Sequence, residues 1–316
     1  MSLPEAVVVF GASGFIGRNV VDALRGKVSR LIGVNSAGAC VPGCDQTIAL
    51  TDVDTLDALP RRTAIVHVAA YRYFASRFAH QQAEILSTNI ALMQTVYRFA
   101  MARGISEVRA ASSSAVYPAA WTVQDDARPL DLNDWPHAAE AAYAWSKRWG
   151  EIAAELWRRR AGIHTISFRL TNPFGPYDTT DESEAHVATA FVIRALGNSA
   201  EFEVRGDPNA ERDFVFAGDI AATFLASLAL QGVDTAVNLA QGTTTRIADL
   251  AMAAMEAAGK PRPLHTTPPA PGANSGVKIR RATAARLRDI VPGLAPFQSL
   301  DAGLRATMDW YLNGHR

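Results

Sequence analysis

A tyrosine and a lysine, Tyr143 and Lys147, stand four residues apart. On a helix this spacing places both side chains on one face. A neighbouring ammonium group favours the phenolate and lowers the tyrosine pKa from its usual value of about 10. Such a tyrosine can take a proton from an alcohol while hydride leaves the same carbon, or return one to a ketone. The spacing also occurs on ordinary amphipathic helices, so a second observation is needed.

Hydroxyl groups at a predicted strand end supply that observation. Ser112, Ser113 and Ser114 follow the apolar residues Val108 to Ala111. In a parallel sheet, the carboxyl ends of the strands open on the ligand crevice. A hydroxyl group there can share the proton or hold the substrate oxygen. The alternative is a polar cap on the strand end.

A glycine-spaced turn lies near the start of the chain, between a predicted strand and a predicted helix. Gly11 permits the tight turn, Gly14 lets the backbone approach a pyrophosphate, and Gly17 lets the helix pack on the strand. The free N–H groups of the helix then face the phosphates. Three glycines also fit a plain strand–turn–helix, but their place at the first turn of a doubly wound pattern favours a dinucleotide. The predicted contacts of this turn are Gly11, Ser13, Gly14, Phe15, Ile16 and Gly17.

The second strand is expected to end in an acidic residue that bonds the adenosine ribose. This chain has Asn35 there, followed by Ser36. Asparagine can bond a ribose hydroxyl, but it lacks the charge that repels a 2′-phosphate, and no arginine follows directly to attract one. The predicted cofactor is NAD or NADP, with NAD favoured.

The elements that must position these residues alternate along the first two-thirds of the chain. Continuous apolar runs predict parallel strands covered on both faces, and amphipathic stretches predict helices between them. The predicted strands are Ala6 to Phe10, Leu31 to Val34, Ile65 to Val68, Val108 to Ala111 and His164 to Leu170. The predicted helices are Phe15 to Arg25, Glu84 to Arg103 and Ala138 to Arg160. The sequence therefore predicts an α/β fold with a doubly wound parallel (Rossmann) sheet.

The pattern changes after Asn172, where we expect a smaller C-terminal substrate lobe. Its predicted parts are a loop from Pro173 to Ser183, a helix from Ala185 to Leu196, strands near Phe202 and Val237, helices from Ile247 to Ala258 and Ala302 to Leu312, and a surface connector from Pro261 to Pro271. The expected domains are an NAD(P)-binding domain over residues 1–172 and the lobe over residues 173–316. A segment at about 212–240 is expected to return to the first domain.

Composition excludes several classes of protein. Acidic and basic residues balance at 31 each, so no global field draws the chain to nucleic acid or to an anionic membrane. The apolar run at the N-terminus is too short for a signal peptide or a membrane span. Cys40 and Cys44 are the only cysteines, which excludes a disulfide scaffold and makes a poor zinc site. We expect a cytoplasmic protein with no bound metal and no nucleic-acid or membrane partner.

In their order along the chain, these motifs resemble the extended short-chain dehydrogenase/reductase family, which includes nucleotide-sugar epimerases, dehydratases and ketoreductases. The resemblance runs over nearly the whole chain. Its further motifs are His67-Val68-Ala69-Ala70, Asn89, Ser112 to Pro118, Arg169 to Pro176 and Arg212 to Val215. The resemblance implies a nucleotide-diphosphate sugar as substrate, and a homodimer formed through the helices Glu84 to Arg103 and Ala138 to Arg160.

The resemblance also implies roles for single residues. Ser113 would be the hydroxyl partner of Tyr143. Asn172 would hold the diphosphate side of the substrate and Arg212 would pair with the phosphates, although an ion pair of Arg212 with Asp213 or Asp219 is the alternative. The implied cofactor contacts are Leu50, Val68, Ala69, Ala70, Asn89, Tyr143, Lys147 and Pro173, and Ser114 is a further expected substrate contact.

The stretch Asp178 to Val187 is similar to the GDP-fucose synthase branch, in which the matching histidine is an acid/base beside a ketone. His186 can exchange a proton near neutral pH, or it faces solvent or caps the loop. The chain departs from the family at two positions. Ala115 stands where fucose synthases have cysteine and 4,6-dehydratases have glutamate, and Ala49 replaces the aspartate of the adenine side.

Epimerisation at C4 of the sugar needs no acid/base at position 115. Tyr143 would deprotonate the 4-hydroxyl, and the resulting ketone would rotate and be reduced on its other face. We therefore expect an NAD(P)-dependent nucleotide-sugar 4-epimerase. The alternatives are an NADPH-dependent 4-keto-sugar reductase, with His186 epimerising a neighbouring carbon, and a non-catalytic cofactor sensor or scaffold.

Overall fold

The computed structural model describes residues 2–71, 80–268 and 278–313. Its strands are β1 Ala6–Phe10, β2 Arg30–Asn35, β3 Gln46–Ala49, β4 Thr63–His67, β5 Glu107–Ser113, β6 Val123–Gln124, β7 His164–Leu170, β8 Asn172–Phe174, β9 Phe202–Arg205, β10 Glu211–Arg212, β11 Phe214–Phe216, β12 Thr235–Leu239, β13 Thr245–Arg246, β14 Leu264–Thr267 and β15 Arg281–Ala282. Its helices are α1 Phe15–Leu24, α2 Gln82–Arg103, α3 Ala141–Ala161, α4 Val187–Leu196, α5 Ala217–Ser227, α6 Ile247–Ala257, α7 Ala285–Ile290 and α8 Leu300–Asn313.

The main sheet has seven parallel strands in the order β12-β7-β5-β4-β1-β2-β3. Successive side chains of a strand point to opposite faces, and β1 shows why both faces must be covered. Val7 and Val9 pack into one apolar cluster with α1 and α5. Val8 and Phe10 pack into a second cluster with α2 and α3. The predicted α/β fold with a doubly wound parallel sheet is confirmed.

A third apolar cluster lies in the C-terminal part of the chain. It joins α4, α6 and α8 around the aromatic rings of Phe174, Phe202, Phe214 and Phe216. The chain also returns to the main sheet, because β12 pairs in parallel with β7. Within the described ranges, no helix combines the length and the apolar character needed to cross a bilayer.

Three of the segments that differ from the sequence-based expectation have a common cause. β3 was not predicted, because its half-buried residues form no apolar run. β8 takes the start of the predicted loop Pro173 to Ser183, since it pairs in parallel with β11. β14 lies in the predicted connector Pro261 to Pro271 and pairs with β9, while residues 269–271 of that connector lie outside the described residues. In each case pairing with another strand decides the conformation.

Candidate active site

A cavity of about 780 Å³ opens at the carboxyl ends of the main sheet. The residues at or just after the ends of β1, β2, β4, β5 and β7 all contribute to its wall. Loop residues 183–186 and Arg280 contribute from the C-terminal part of the chain. This is where open parallel sheets bind their ligands.

The glycine turn forms one end of the cavity. Gly11 has a φ of +89°, and a Cβ there would lie 2.5 Å from the backbone N of Ala69. A Cβ on Gly17 would lie 1.9 Å from the carbonyl oxygen of Gly11. Gly14 precedes α1 and gives that helix no side-chain cap. The backbone of the turn therefore lies in direct contact with the segment after β4 and with α1. The N–H groups of the first turn of α1 are available to a phosphate.

The predicted contacts of this turn divide into two groups. The cavity wall includes Gly11, Ser13, Gly14, Phe15 and Ile16. Gly17 is not part of the described wall, and it acts through helix packing instead. This glycine turn, called the glycine cradle below, fits the pyrophosphate of a dinucleotide, because Gly11 and Gly14 put no side chain between the backbone and a phosphate.

Asn35 and Leu50 line the cavity beyond the second strand. The amide of Asn35 donates to the carbonyl of Ala39 at 2.8 Å and accepts from the backbone N–H of Ala37 at 3.1 Å. Its side chain therefore shapes the loop after β2. Ser36, which the sequence analysis did not assign to the site, adds a hydroxyl-bearing residue to the same wall.

The segment after β4 lines the cavity with Val68, Ala69 and Ala70. Asn89 is absent from the described wall but holds the end of this segment. Its amide accepts from the backbone N–H of Tyr71 at 2.9 Å and donates to the Tyr71 carbonyl at 3.3 Å. Asn89 is thus a support for the groove and not part of its surface.

Ser113, Tyr143 and Lys147 meet in the wall of this one cavity. The ammonium of Lys147 donates to the carbonyl of Ala111 at 2.9 Å and lies 5.5 Å from the centre of the Tyr143 ring. Burial lowers the pKa of Lys147 to about 8, although the Glu151 carboxylate opposes that shift. The lysine can therefore change its charge close to neutral pH.

Ser113 ends β5, and its Oγ accepts from the backbone N–H of Ala115 at 3.1 Å. That bond leaves the O–H of Ser113 to donate to a substrate oxygen. The described wall includes neither Ser114 nor Ala115, which are both buried. The carbonyl of Ser114 accepts from the side-chain amide of Gln124 at 3.1 Å, so this serine secures the turn after β5.

Asn172 and Pro173 line the cavity beyond β7, together with Thr171. The side chain of Asn172 donates to the backbone carbonyl of Asp213 at 2.9 Å. The buried carboxylate of Asp213 accepts from the Thr171 hydroxyl at 3.0 Å and from the backbone N–H of Gly242 at 2.7 Å. Burial raises the pKa of Asp213 to about 6. Asp213 thereby fixes the wall residues that follow β7.

His186 lines the cavity immediately before α4. Its Nδ1 lies 2.9 Å from the buried carboxylate of Asp178, and its ring centre lies 5.4 Å from that of Phe15. A carboxylate at this distance favours the tautomer with the proton on Nδ1, which leaves Nε2 as the acceptor nitrogen. This arrangement permits acid/base work at the Phe15 side of the cavity.

Arg212 is absent from the described wall, and its guanidinium donates to the backbone carbonyl of Glu211 at 2.8 Å. Within the described residues it forms no ion pair with Asp213 or Asp219. Burial, and then the charge of Arg280, lower the pKa of Arg212 to about 10. Arg280 does line the cavity, where it is paired with Glu140. This pair was not predicted, and the basic run around Arg280 is its only signal in the sequence.

Comparison with known proteins identifies the family. The model of the NAD dependent epimerase/dehydratase family matches residues 7–240. A dTDP-4-dehydro-6-deoxy-D-allose reductase from a Streptomyces species is 30% identical over 324 aligned residues, which cover 97% of this chain and 96% of the reductase. A putative UDP-glucose 4-epimerase from Methanocaldococcus jannaschii is 26% identical and covers 77% of this chain and 79% of its own.

A solved structure shows the same fold. The UDP-glucose 4-epimerase of Thermotoga maritima, determined with UDP-glucose, superposes with a TM-score of 0.82 at 22% identity, covering 98% of this chain and 100% of that one. The resemblance inferred from the ordered motifs is confirmed. With its glycine cradle, its Ser113, Tyr143 and Lys147 in one cavity and a family match over most of its length, the chain belongs to the NAD dependent epimerase/dehydratase family.

Proposed function

We propose that this chain is an NAD(P)-dependent enzyme that transfers hydride at C4 of a nucleotide-linked sugar, and that it works as a 4-keto-sugar reductase. The observation that carries the proposal is the meeting of Ser113, Tyr143 and Lys147 in the cavity that the glycine turn closes. The direction of the reaction is supported by the full-length similarity to a reductase of a 4-keto sugar. The epimerase expected from the sequence uses the same residues and remains the second candidate.

The protein's own groups handle the proton. When bound, the nicotinamide cofactor supplies the hydride. Tyr143 donates its phenolic proton to the ketone oxygen as that oxygen gains charge, and Ser113 holds the same oxygen by donating its O–H. The ammonium of Lys147 stabilises the phenolate that results.

Substitution of Tyr143 by phenylalanine tests this function. Tyr143→Phe removes the proton donor and keeps the ring, so turnover should fall by at least about 100-fold while cofactor binding stays within about twofold. The assay follows loss of NAD(P)H absorbance with a dTDP-linked 4-keto-6-deoxy sugar, and fluorescence titration measures cofactor affinity. Undiminished turnover in the variant would refute the assignment. Absence of turnover in the wild-type protein with every nucleotide-linked sugar would favour the sensor or scaffold.

C4 epimerisation is favoured by the similarity to the putative epimerase of M. jannaschii. An epimerase returns the hydride to the sugar and therefore turns over many substrate molecules with a trace of cofactor. A reductase consumes one NAD(P)H per product. Product analysis by NMR at catalytic and at stoichiometric cofactor concentrations separates the two.

In this proposal the diphosphate of the nucleotide-linked sugar binds near Arg280. Arg280 lines the cavity, where Glu140 pairs with its guanidinium, and the Arg280 charge also acts on Arg212. Asn172 lies on the same wall. His186 remains a proposed acid/base for a carbon next to the ketone, supported by its bond to Asp178.

The cofactor's phosphate at the 2′ position is not excluded by charge at Asn35 or Ser36, so the proposal includes both NAD and NADP. Parallel titrations with NADH and NADPH measure the preference. We further assign cofactor binding to the domain of residues 1–172, to which the segment at about 212–240 returns, and substrate binding mainly to residues 173–316, supported by the separate apolar clusters.

We also propose a cytoplasmic homodimer formed through α2 and α3. Three large apolar side chains are exposed on these helices, namely Met101, Ile152 and Leu156. Their burial in a second copy would remove apolar surface from water. Light scattering measures the mass in solution.

A further inference from the structure

Two side chains of α3 reach consecutive residues of β5 behind the proposed catalytic group. Lys147 and Glu151 lie one helical turn apart and therefore on one face of α3. Lys147 donates to the carbonyl of Ala111. The hydroxyl of Ser112 donates to a carboxylate oxygen of Glu151 at 2.6 Å. Glu151 is thus held at the β5 residue next to the one that Lys147 contacts, one helical turn further from Tyr143 along α3.

Glu151 also forms an ion pair with Arg169. Arg169 donates to both of its oxygens, at 3.0 Å from Nε and 2.7 Å from Nη2. The exposed fractions of the Arg169 and Glu151 side chains are only 7% and 14%. Burial would lower the pKa of Arg169, but the Glu151 carboxylate outweighs burial and the pKa is raised. Arg169 therefore stays charged and competes with Lys147 for the carboxylate.

Arg169 has a fixed position in this competition. It also donates to the hydroxyl of Tyr117 at 3.0 Å. That hydroxyl in turn donates to the side-chain carbonyl of Asn238 at 2.6 Å. The arginine is therefore anchored to β12 as well as to α3, and it cannot turn away from Glu151 without breaking this chain of bonds.

The other charged or titratable groups around Lys147 do not replace Glu151. His67 on β4 is neutral, because burial and then the charge of Lys147 lower its pKa to about 3. Across the cavity the described wall carries Glu140, Glu184, His186 and Arg280, and Glu140 is paired with Arg280. Among the described residues, Glu151 is the carboxylate whose charge opposes the effect of burial on Lys147.

We propose that Glu151 is a positioning residue that supplies the counter-charge for Lys147, and that Arg169 limits how much of this charge the lysine receives. Ser112 keeps the carboxylate in place. Glu151 and Arg169 therefore influence the lysine in opposite directions. The inference rests on the proposed function only for its effect on turnover, since the charge of Lys147 can be measured in the free protein.

The experiment is a pH titration of lysine side chains by NMR. The chain contains only four lysines, Lys27, Lys147, Lys260 and Lys278, so ¹³C-labelled lysine gives few signals, and Lys147→Arg identifies the one of interest. Glu151→Gln should lower the pKa of Lys147 by about one unit, and Arg169→Gln should raise it by a similar amount. The matched control is Glu155→Gln, on the same helix, because Glu155 pairs with Arg158 and Arg159 at the surface. It should leave the titration unchanged.

Shifts of equal sign in the two variants, or no shift in either, would overturn the proposal. If Glu151→Gln does not fold because Arg169 loses its partner, the double variant Glu151→Gln/Arg169→Gln replaces it. Its pKa for Lys147 should then lie below that of Arg169→Gln alone. The alkaline limb of kcat/KM should move with the NMR titration. NMR shifts as expected with no turnover on any nucleotide-linked sugar would support the inference and contradict the proposed function.

Discussion

Burial is the largest influence on the pKa of Lys147, next to the proposed proton donor, and on that of His67 on β4. Lys147 is 6% exposed and His67 is 2% exposed, so the charged form of each side chain loses its hydration and is disfavoured. The pKa of Lys147 falls to about 8 and that of His67 to about 3. Lys147 can therefore gain or lose its proton close to neutral pH, whereas His67 stays neutral throughout the physiological range.

His67 should make the folded protein sensitive to acid. An unfolded histidine has a pKa of about 6.5, whereas the pKa of folded His67 is about 3. Below pH 6.5 the unfolded chain therefore binds a proton that the folded chain does not, and stability is lost as pH falls towards 3. Between pH 6.5 and 5 this loss is about 1.6 kcal/mol. His67→Leu should remove it, measured by urea unfolding at both pH values.

The control for this prediction is His265→Leu, because the His265 side chain is exposed. That variant should keep the acid sensitivity of the wild type. His67→Leu has a further advantage, since Nδ1 of His67 is buried and has no partner among the described residues. An unchanged acid sensitivity in His67→Leu would contradict the neutral state of the histidine.

Whether a contact in the site could be predicted from the sequence depends on how far apart its residues lie along the chain. Tyr143 and Lys147 lie one turn apart, so their meeting could be predicted from the local helix. Ser113 needed only the rule for strand ends. Arg280 and Glu140 are separated by 140 residues, and no local pattern connects them. The same holds for Asn89, whose amide serves the backbone of Tyr71 and not the cavity.

A strand could be predicted from the sequence where its apolar run is continuous, because such a run is buried by helices on both faces of the sheet. All five residues of β1 are buried, which is what its sequence indicates. β3 is a short half-buried edge strand, and only its pairing with β2 gives it an extended form. The contact between α1 and the glycine turn was predictable because glycine is the residue type that such an approach requires.

Gly17 tests that contact. A Cβ on Gly17 would meet the carbonyl of Gly11 at 1.9 Å, so Gly17→Ala must push α1 away from the turn. We expect NAD(P)H affinity to fall by at least about tenfold, because the phosphate cradle opens, and the midpoint of thermal unfolding to fall. Fluorescence titration and a melting curve measure both effects.

Gly150→Ala is the matched control for this substitution. Gly150 also lies inside a helix, but its added Cβ would meet only the flexible end of Met93 at 3.0 Å. The control should bind cofactor like the wild type. Equal affinities in Gly17→Ala and the wild type would show that the turn does not hold the cofactor.

Two parts of the chain, before and after residue 172, line the same cavity. The main sheet supplies the glycine turn and the Tyr143 side, and the later residues supply His186 and Arg280. The pairing of β12 with β7 and the buried Asp213 hold these parts together. This joining was predictable only in outline from the family resemblance, since the contacts between the parts are made by residues that are remote in the chain.

Arg280→Ala tests the contribution of the second part. Loss of a charged hydrogen bond to a phosphate costs about 1.5–3 kcal/mol, which corresponds to about a tenfold to hundredfold rise in KM for the nucleotide-linked sugar. kcat should change less, because the guanidinium serves binding more than chemistry. Steady-state kinetics and calorimetry with dTDP and UDP measure the effect. The neighbouring Arg281→Ala is the control, and equal losses in both variants would contradict the assignment.

The place of β12 in the main sheet has a consequence for how the protein is made. β7 gains its second neighbour only when residues 235–239 have left the ribosome, long after β7 itself. Until then the growing chain presents a strand edge with unpaired N–H and C=O groups, a surface prone to association with other chains. Productive folding during synthesis therefore depends on keeping that edge apart from other nascent chains until the last strand arrives.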